Sequence, residues 1–178
     1  MTESSRSKIG WAGKLLTMIV SLFSLFLGGC SETGLTDGDR LVNERMNQTI
    51  SDYILEHYAD SYYPTEKQFE VHKIYGAKEA EDAVDIYFYS YFGGFNKSTG
   101  LESQAGHSLP AMIRLKKETD GYSVINYIEP EDGDLFLPSL KKMFPRKYVN
   151  KALNDIGNID NLKEEMDSKV KRWLDEER

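Results

Sequence analysis

Apolar and polar positions recur along this chain with two different periods, and the change of period divides it into elements. Over residues 40–58, Val42, Met46, Ile50, Tyr53, Ile54 and His57 fall at helical spacing with Asp39 available as a cap, which predicts an amphipathic helix. The stretch DSYYPTE breaks it at Pro64. Residues 67–76 alternate, with Phe69, Val71 and Tyr75 on one side and Gly76 ending the run, as expected of a strand. Residues 83–94 form the clearest strand pattern: Val84, Ile86, Phe88 and Phe92 share one face, and Asp85, Tyr87, Tyr89 and Tyr91 share the other. Large rings on both faces predict a central position in a sheet. Residues 95–109 read as a long polar loop or a mobile hairpin connection. Residues 110–118 and 122–129 flank Thr119-Asp120-Gly121 as a hairpin. Beyond Pro130 the pattern predicts a loop and one or two short helices interrupted by Pro145. A last helix follows, with Leu162, Met166, Val170, Trp173 and Leu174 on one stripe and Asn161 and Glu164 spaced as in a capping box.

Helix, four strands, then helices is the order of an α+β domain with a mostly antiparallel four-stranded meander, because the βαβ alternation of a parallel sheet is missing. A meander that follows a helix can wrap around it, an arrangement similar to cystatin-like folds on element order alone.

The amino-terminal residues follow a third pattern. Arg6, Lys8 and Lys14 outweigh Glu3, and an apolar or hydroxylic run, LLTMIVSLFSLFL, covers 15–27. As a helix this run is about 20 Å long, short of the roughly 30 Å hydrocarbon core, whereas the uncharged stretch 15–31 reaches about 26 Å and leaves an uncleaved anchor open. A positive segment, a short apolar segment and small residues in that order mark a secretory signal. The small residues are Leu27-Gly28-Gly29-Cys30, which resemble the lipobox of bacterial lipoproteins. The resemblance implies that the Cys30 thiol takes a diacylglyceryl group and that the chain is cut between Gly29 and Cys30. The residue types suit that chemistry: small side chains admit a peptidase to the scissile bond, and a thiolate is a competent nucleophile. Two acyl chains hold a protein firmly where one does not. The implied organisation is a signal peptide at 1–29, a lipidated tether at 30–39 and one domain at 40–178, held by membrane lipid on the extracytoplasmic side of the cell membrane.

Composition sharpens this only at a few points. Cys30 is the single cysteine, so the domain must stand without disulfides. Removing the +2 leader from a net charge of −7 leaves −9 on the remainder, which argues against nucleic acid as a partner.

Candidate chemistry is sparse. Ser139 and Lys142 have the S-x-x-K spacing of penicillin-recognising enzymes, but the K-S-T-G at 97–100 precedes them, the wrong order, and no S-D-N lies between. A helix start with solvated lysines explains the pair better. His57, His72 and His107 lack the spacing of a helical zinc pair. Glu129, Glu131, Asp132 and Asp134 surround Gly133 without the regular ladder of a calcium loop. Neither a phosphate-cradling glycine loop nor a G-x-S-x-G elbow occurs. No catalytic residue, metal ligand or cofactor is therefore expected. All eleven tyrosines follow Cys30. The face made by Tyr87, Tyr89 and Tyr91 is an amphipathic binding platform if open, and core with polar tips if a terminal helix covers it; covering is the stronger expectation. The basic pieces RLKK, SLKKMFPRK and KVKR read as mixed solvated surface or as a face toward anionic lipid or wall polymer.

HKIYGAKE, SLPAMIRLKKETDGY, VINYIEPEDGDLFLPSLKKMFP and YVNKALN resemble a domain of secreted and lipoprotein-type Firmicutes proteins. A similar segment follows the membrane part of some Bla-type sensor-metalloprotease regulators. The resemblance implies an extracytoplasmic accessory or sensing module and carries no catalytic residue. The expected function is thus a noncatalytic ligand-binding or sensing lipoprotein, with an envelope protein or wall-derived ligand as partner. The alternative is a structural or inhibitory domain docking on a membrane partner, with an enzyme last.

Overall fold

The computed structural model describes residues 34–176. Its elements are β1 (Leu35–Asp37), α1 (Glu44–His57), β2 (Lys67–Glu79), β3 (Ala83–Phe95), β4 (Ala105–Glu118) and β5 (Gly121–Ile128), then a 3-10 turn (Gly133–Leu135), α2 (Phe136–Met143), α3 (Arg146–Asp155) and α4 (Asp160–Glu176). Each strand pairs antiparallel with the next, so the sheet order is the chain order, and the domain is α+β. Among the described residues, no helix is long and apolar enough to cross a membrane.

Both faces of β3 are apolar, and both are covered. Ile86, Phe88 and Phe92 meet Met46, Ile50 and Ile54 of α1. Tyr87, Tyr89 and Phe95 meet Leu140 and Phe144 at α2, Tyr148 and Ala152 of α3, and Met166, Val170 and Trp173 of α4. A sheet with one helical cover would leave a face of rings in water, at a cost of about 1.5–3 kcal/mol for each large side chain. The carboxy-terminal helices remove that cost, and they set the molecule apart from a meander wrapped around one helix.

Four boundaries differ from the sequence expectation, each for a local reason. The sheet has five strands and not four, because β1 forms from residues assigned to the tether and pairs Leu35 with Lys78 and Asp37 with Gly76. Three residues are too few to show an alternation. Helix α1 starts at Glu44 with Asn43 as its cap, the Asn43 side chain accepting the Met46 N–H at 3.0 Å; the Asp39 carbonyl is engaged in a turn with the Val42 N–H. Strand β4 begins at Ala105, within the expected loop, because Ala105 to Leu109 pair with Gly94 to Ser90 of the apolar β3. Strand β2 continues past Gly76 through a bulge between Ile74 and Gly76. The extra residue switches the parity, so Tyr75 stays beneath α3 while Ala77 turns toward α1. Glycine is required at 76, since a Cβ would collide with the Tyr148 hydroxyl and the Thr36 carbonyl.

Candidate functional site

Strand β1 covers the edge of β2 only at Gly76, Ala77 and Lys78. At Gly38 the chain takes a positive φ of 69°, donates its N–H to the Tyr75 carbonyl and leaves the sheet for α1. Among the described residues, the edge of β2 before Tyr75 therefore has no neighbouring strand. A cleft of about 480 Å³ lies there, walled by Asn47, Gln48 and Ser51 of α1 and by Glu165 and Lys169 of α4, with His72 and Ile74 of β2 between them and Asp39 at one end.

The polar groups here are organised around Glu70, whose side chain is fully buried. Ser51 donates its hydroxyl to Glu70 Oε2 at 2.7 Å. His72 Nδ1 lies 3.1 Å from Glu70 Oε1, and its Nε2 lies 3.1 Å from Asn47 Oδ1. An isolated carboxylate buried here would be costly; these contacts compensate it. Lys169 reaches across from α4 and donates to the Glu70 carbonyl at 2.8 Å. That bond shows which backbone groups face outward: Glu70 and, by strand alternation, Gln68, His72 and Ile74. The ammonium closes the edge at Glu70. His72 and Ile74 remain between it and the β1 turn.

Ser51 donates to a carboxylate and not to the imidazole, so the serine–histidine contact of an activated nucleophile is missing. Asp39, Glu44 and Glu165 outnumber Lys169 among the acidic and basic residues lining the cleft, which gives it a field that favours a cationic ligand.

The residues singled out from sequence are scattered. Tyr87 and Tyr89 are buried and Tyr91 is partly buried beneath the carboxy-terminal helices, so this face is not an open platform. Burial raises the hydroxyl pKa of all three above the usual tyrosine value. The Ser139 hydroxyl donates to the Leu135 carbonyl at 2.7 Å and accepts the Glu131 N–H at 2.8 Å, so it fastens a turn, while Lys142 is exposed. The residues 97–100 make the turn between β3 and β4. His57 stacks on Tyr53 with ring centroids 5.5 Å apart. His107, expected in a loop, lies in β4, stacks on Phe92 and sets Nδ1 2.8 Å from the Tyr62 hydroxyl. Burial lowers its pKa to about 4. Glu129 accepts the Tyr127 hydroxyl at 2.6 Å, and its own pKa is raised by burial and then by Asp132. No group of three His, Cys, Asp or Glu suited to a metal occurs among the described residues. Gly29 and Cys30 lie outside those residues.

Asn47, Ser51, Glu70 and Lys169 were not singled out from sequence. The available signal was a pair of small polar residues at i and i+4 beside the apolar stripe of α1, and a strand presenting Glu70 and His72 at i and i+2. No family model, curated protein or solved structure matches the chain.

Proposed function

We propose that this chain is an extracytoplasmic lipoprotein, held in the cell membrane through a diacylglyceryl group on Cys30, whose domain is a noncatalytic binding module for a short, cationic, extended peptide. The observation that carries the binding half is the unpaired stretch of β2 at His72 and Ile74, set in a polar cleft whose acidic lining outnumbers its basic lining. A peptide added there gains main-chain hydrogen bonds from the strand, as in other sheet-edge recognition. The Glu70 cluster holds the backbone in place without supplying a reacting group. The anchor half rests on the Leu27-Gly28-Gly29-Cys30 resemblance. The likeness to the Firmicutes domain supports the same accessory role.

Two sources supply such a peptide: the amine-bearing peptide of a wall fragment, and an exposed segment of an envelope protein. Thermal unfolding of the full chain against both kinds of short peptide tests the proposal. Binding to the native state raises stability by about 2.7 kcal/mol at a hundredfold excess over Kd. The rise should vanish in Ser51→Trp, which fills the cleft. Equal stabilisation of Ser51→Trp, or none of the native chain, would remove the cleft as the site. Stabilisation by the protein segment alone would favour the docking alternative. Mass spectrometry of the mature amino-terminal peptide tests the anchor separately.

A further inference from the structure

The three basic pieces of the chain have different fates in the fold. In RLKK, Arg114 grips Asp85 with two bonds, Lys116 meets Glu118 and Lys117 meets Glu79. In KVKR, Lys169 lies between Glu165 and the Glu70 carbonyl. The third piece is left open. From 135 to 154 the chain holds Lys141, Lys142, Arg146, Lys147 and Lys151 and no acidic residue. Of these only Lys147 has a carboxylate partner among the described residues, Asp37 of β1 at 2.9 Å. Lys141, Lys142, Arg146 and Lys151 are exposed, as are Asn150 and Asn154 on the same outward side of α3. The acid that ends α3, Asp155, turns inward and is taken by Lys73 at 2.9 Å and the Tyr75 hydroxyl at 2.7 Å. In a chain of net charge −7 this is a run of exposed basic residues in which Asp37 neutralises Lys147 and also attracts Lys151, whose ammonium lies 5.3 Å from the centre of the Tyr148 ring.

Its position matters as much as its charge. Helix α3 lies against β1: the Tyr148 hydroxyl donates to the Thr36 carbonyl, and Lys147 bridges to Asp37. Strand β1 begins at Leu35, five residues after Cys30. Five residues span at most about 18 Å. A lipid on Cys30 therefore keeps the β1 end of the domain, with α3 beside it, within reach of the bilayer surface.

We infer that the outward faces of α2 and α3, from Lys141 to Lys151, dock on the anionic phospholipid of the membrane that holds Cys30, and so fix the domain's orientation. The inference rests on the lipoprotein reading. Tethering raises the local concentration of the face at the surface, and the headgroup charge supplies the attraction. Leu137, on the outward side of α2 with Lys141, adds an apolar contact at the headgroup level. The acidic residues Glu131, Asp132 and Asp134 precede α2 in the chain. Helix α1 lies on the opposite side of the sheet from α3. Docking on α3 thus turns α1 away from the membrane and leaves the α1 wall of the cleft facing the aqueous side.

The test uses the full lipidated chain carrying Asn150→Cys, labelled with a fluorophore and reconstituted in vesicles that contain a lipid-borne quencher. A thioether at Cys30 leaves position 150 as the single free thiol. The expected result is quenching in vesicles rich in phosphatidylglycerol and little in phosphatidylcholine. Quenching should also be lost in about 1 M salt, where the screening length is about 3 Å. Each basic residue at an anionic surface favours docking about fivefold, so Lys141→Glu, Arg146→Glu and Lys151→Glu together should cut the ratio of docked to undocked molecules by on the order of a hundredfold. Unchanged circular dichroism of that variant shows that the fold survives. A label at Glu56→Cys on α1 should stay unquenched throughout. The inference is overturned if position 150 remains in water on anionic vesicles, if phosphatidylcholine quenches it equally, or if the triple variant still docks. Release by soluble poly(glycerol phosphate) at low concentration would assign the face to wall polymer and also overturn it. The failures read separately: a second label on Cys30 overturns the anchor, whereas an unquenched position 150 overturns the docking face.

Discussion

From one strand, β3, Ile86, Phe88 and Phe92 point toward α1 while Tyr87, Tyr89 and Tyr91 point toward α2, α3 and α4. The first face is covered by α1, with Ile86, Phe88 and Phe92 fully buried and Glu70 the one acidic side chain buried with them, at the β2 edge, while Tyr53, Tyr62 and Tyr127 are only partly buried. The second is roofed by three helices, and its tyrosines place their hydroxyls at polar atoms: Tyr75 at Asp155, Tyr89 at the Ser108 carbonyl and Tyr148 at the Thr36 carbonyl. Both faces thus mix rings with polar tips: the α1 face sets the Tyr62 hydroxyl at His107 and the Tyr127 hydroxyl at Glu129, while on the other face the joints between short helices admit the tyrosine hydroxyls. Two polar features lie at the margins: the cleft where α1 meets the β2 edge, and the exposed basic residues on the solvent side of α2 and α3.

The comparison breaks most visibly where ring volume is removed from the α1 face. Phe88→Ala should cost about 3–5 kcal/mol, read as a lowered denaturant midpoint, since Phe88 is fully buried and the residual cavity adds to the lost transfer energy. An outcome below about 1 kcal/mol would mean that α1 collapses onto the sheet easily and that the face is not sealed.

A proton should also discriminate the faces. His107, on the α1 side, is held neutral in the fold with its pKa lowered to about 4 from an ordinary 6.5. A histidine whose folded pKa is depressed contributes stability that is present above pH 6.5 and is lost as pH falls toward 4. The loss amounts to about 3 kcal/mol once both values are passed. Chemical denaturation at stepped pH should show this slope, and His107→Phe should flatten it while keeping the stack on Phe92. An unchanged slope in His107→Phe would assign the acid sensitivity elsewhere.

Smaller effects sharpen the picture. Asn43→Ala removes the α1 cap and should cost about 1 kcal/mol in thermal unfolding. Asp39→Ala should cost clearly less, because Asp39 serves the turn through its carbonyl and not its side chain. On the other face, Tyr89→Phe keeps the ring and loses one 3.3 Å hydrogen bond, so its effect should stay within about 1 kcal/mol. A larger loss would show that the hydroxyls, and not the rings, hold the three-helix roof.

Helix α1, strand β3 and helix α4 were legible because each is long enough for its period to repeat. Val42, Met46, Ile50 and Ile54, and likewise Leu162, Met166, Val170 and Trp173, all reach the core as their spacing predicted. The start of β4 was not legible: Ala105, Gly106, His107 and Ser108 read as a loop, and they pair only because β3 offers a long apolar partner. The β2 bulge could not be anticipated either, since a parity switch at Tyr75 is set by what Tyr148 and Thr36 bring to Gly76. The cleft was illegible for the same reason. Asn47, Ser51, Glu70 and Lys169 come from three elements far apart in the chain, and none is unusual in its own segment.

By itself the sequence determined the α+β class, the central place of β3 with rings on both sides, and the single thiol at Cys30 behind an apolar run. These follow from periodicity and composition, which are local properties. Tertiary structure alone decided that Leu35 to Asp37 would close part of the β2 edge and no more, that three helices would roof the tyrosine face, and that Lys147 of α3 would meet Asp37 of β1 while the basic residues of RLKK found other carboxylates. The physical reason is that pairing an edge, covering a face and neutralising a charge each require a partner from elsewhere in the chain, and only folding brings that partner within contact distance.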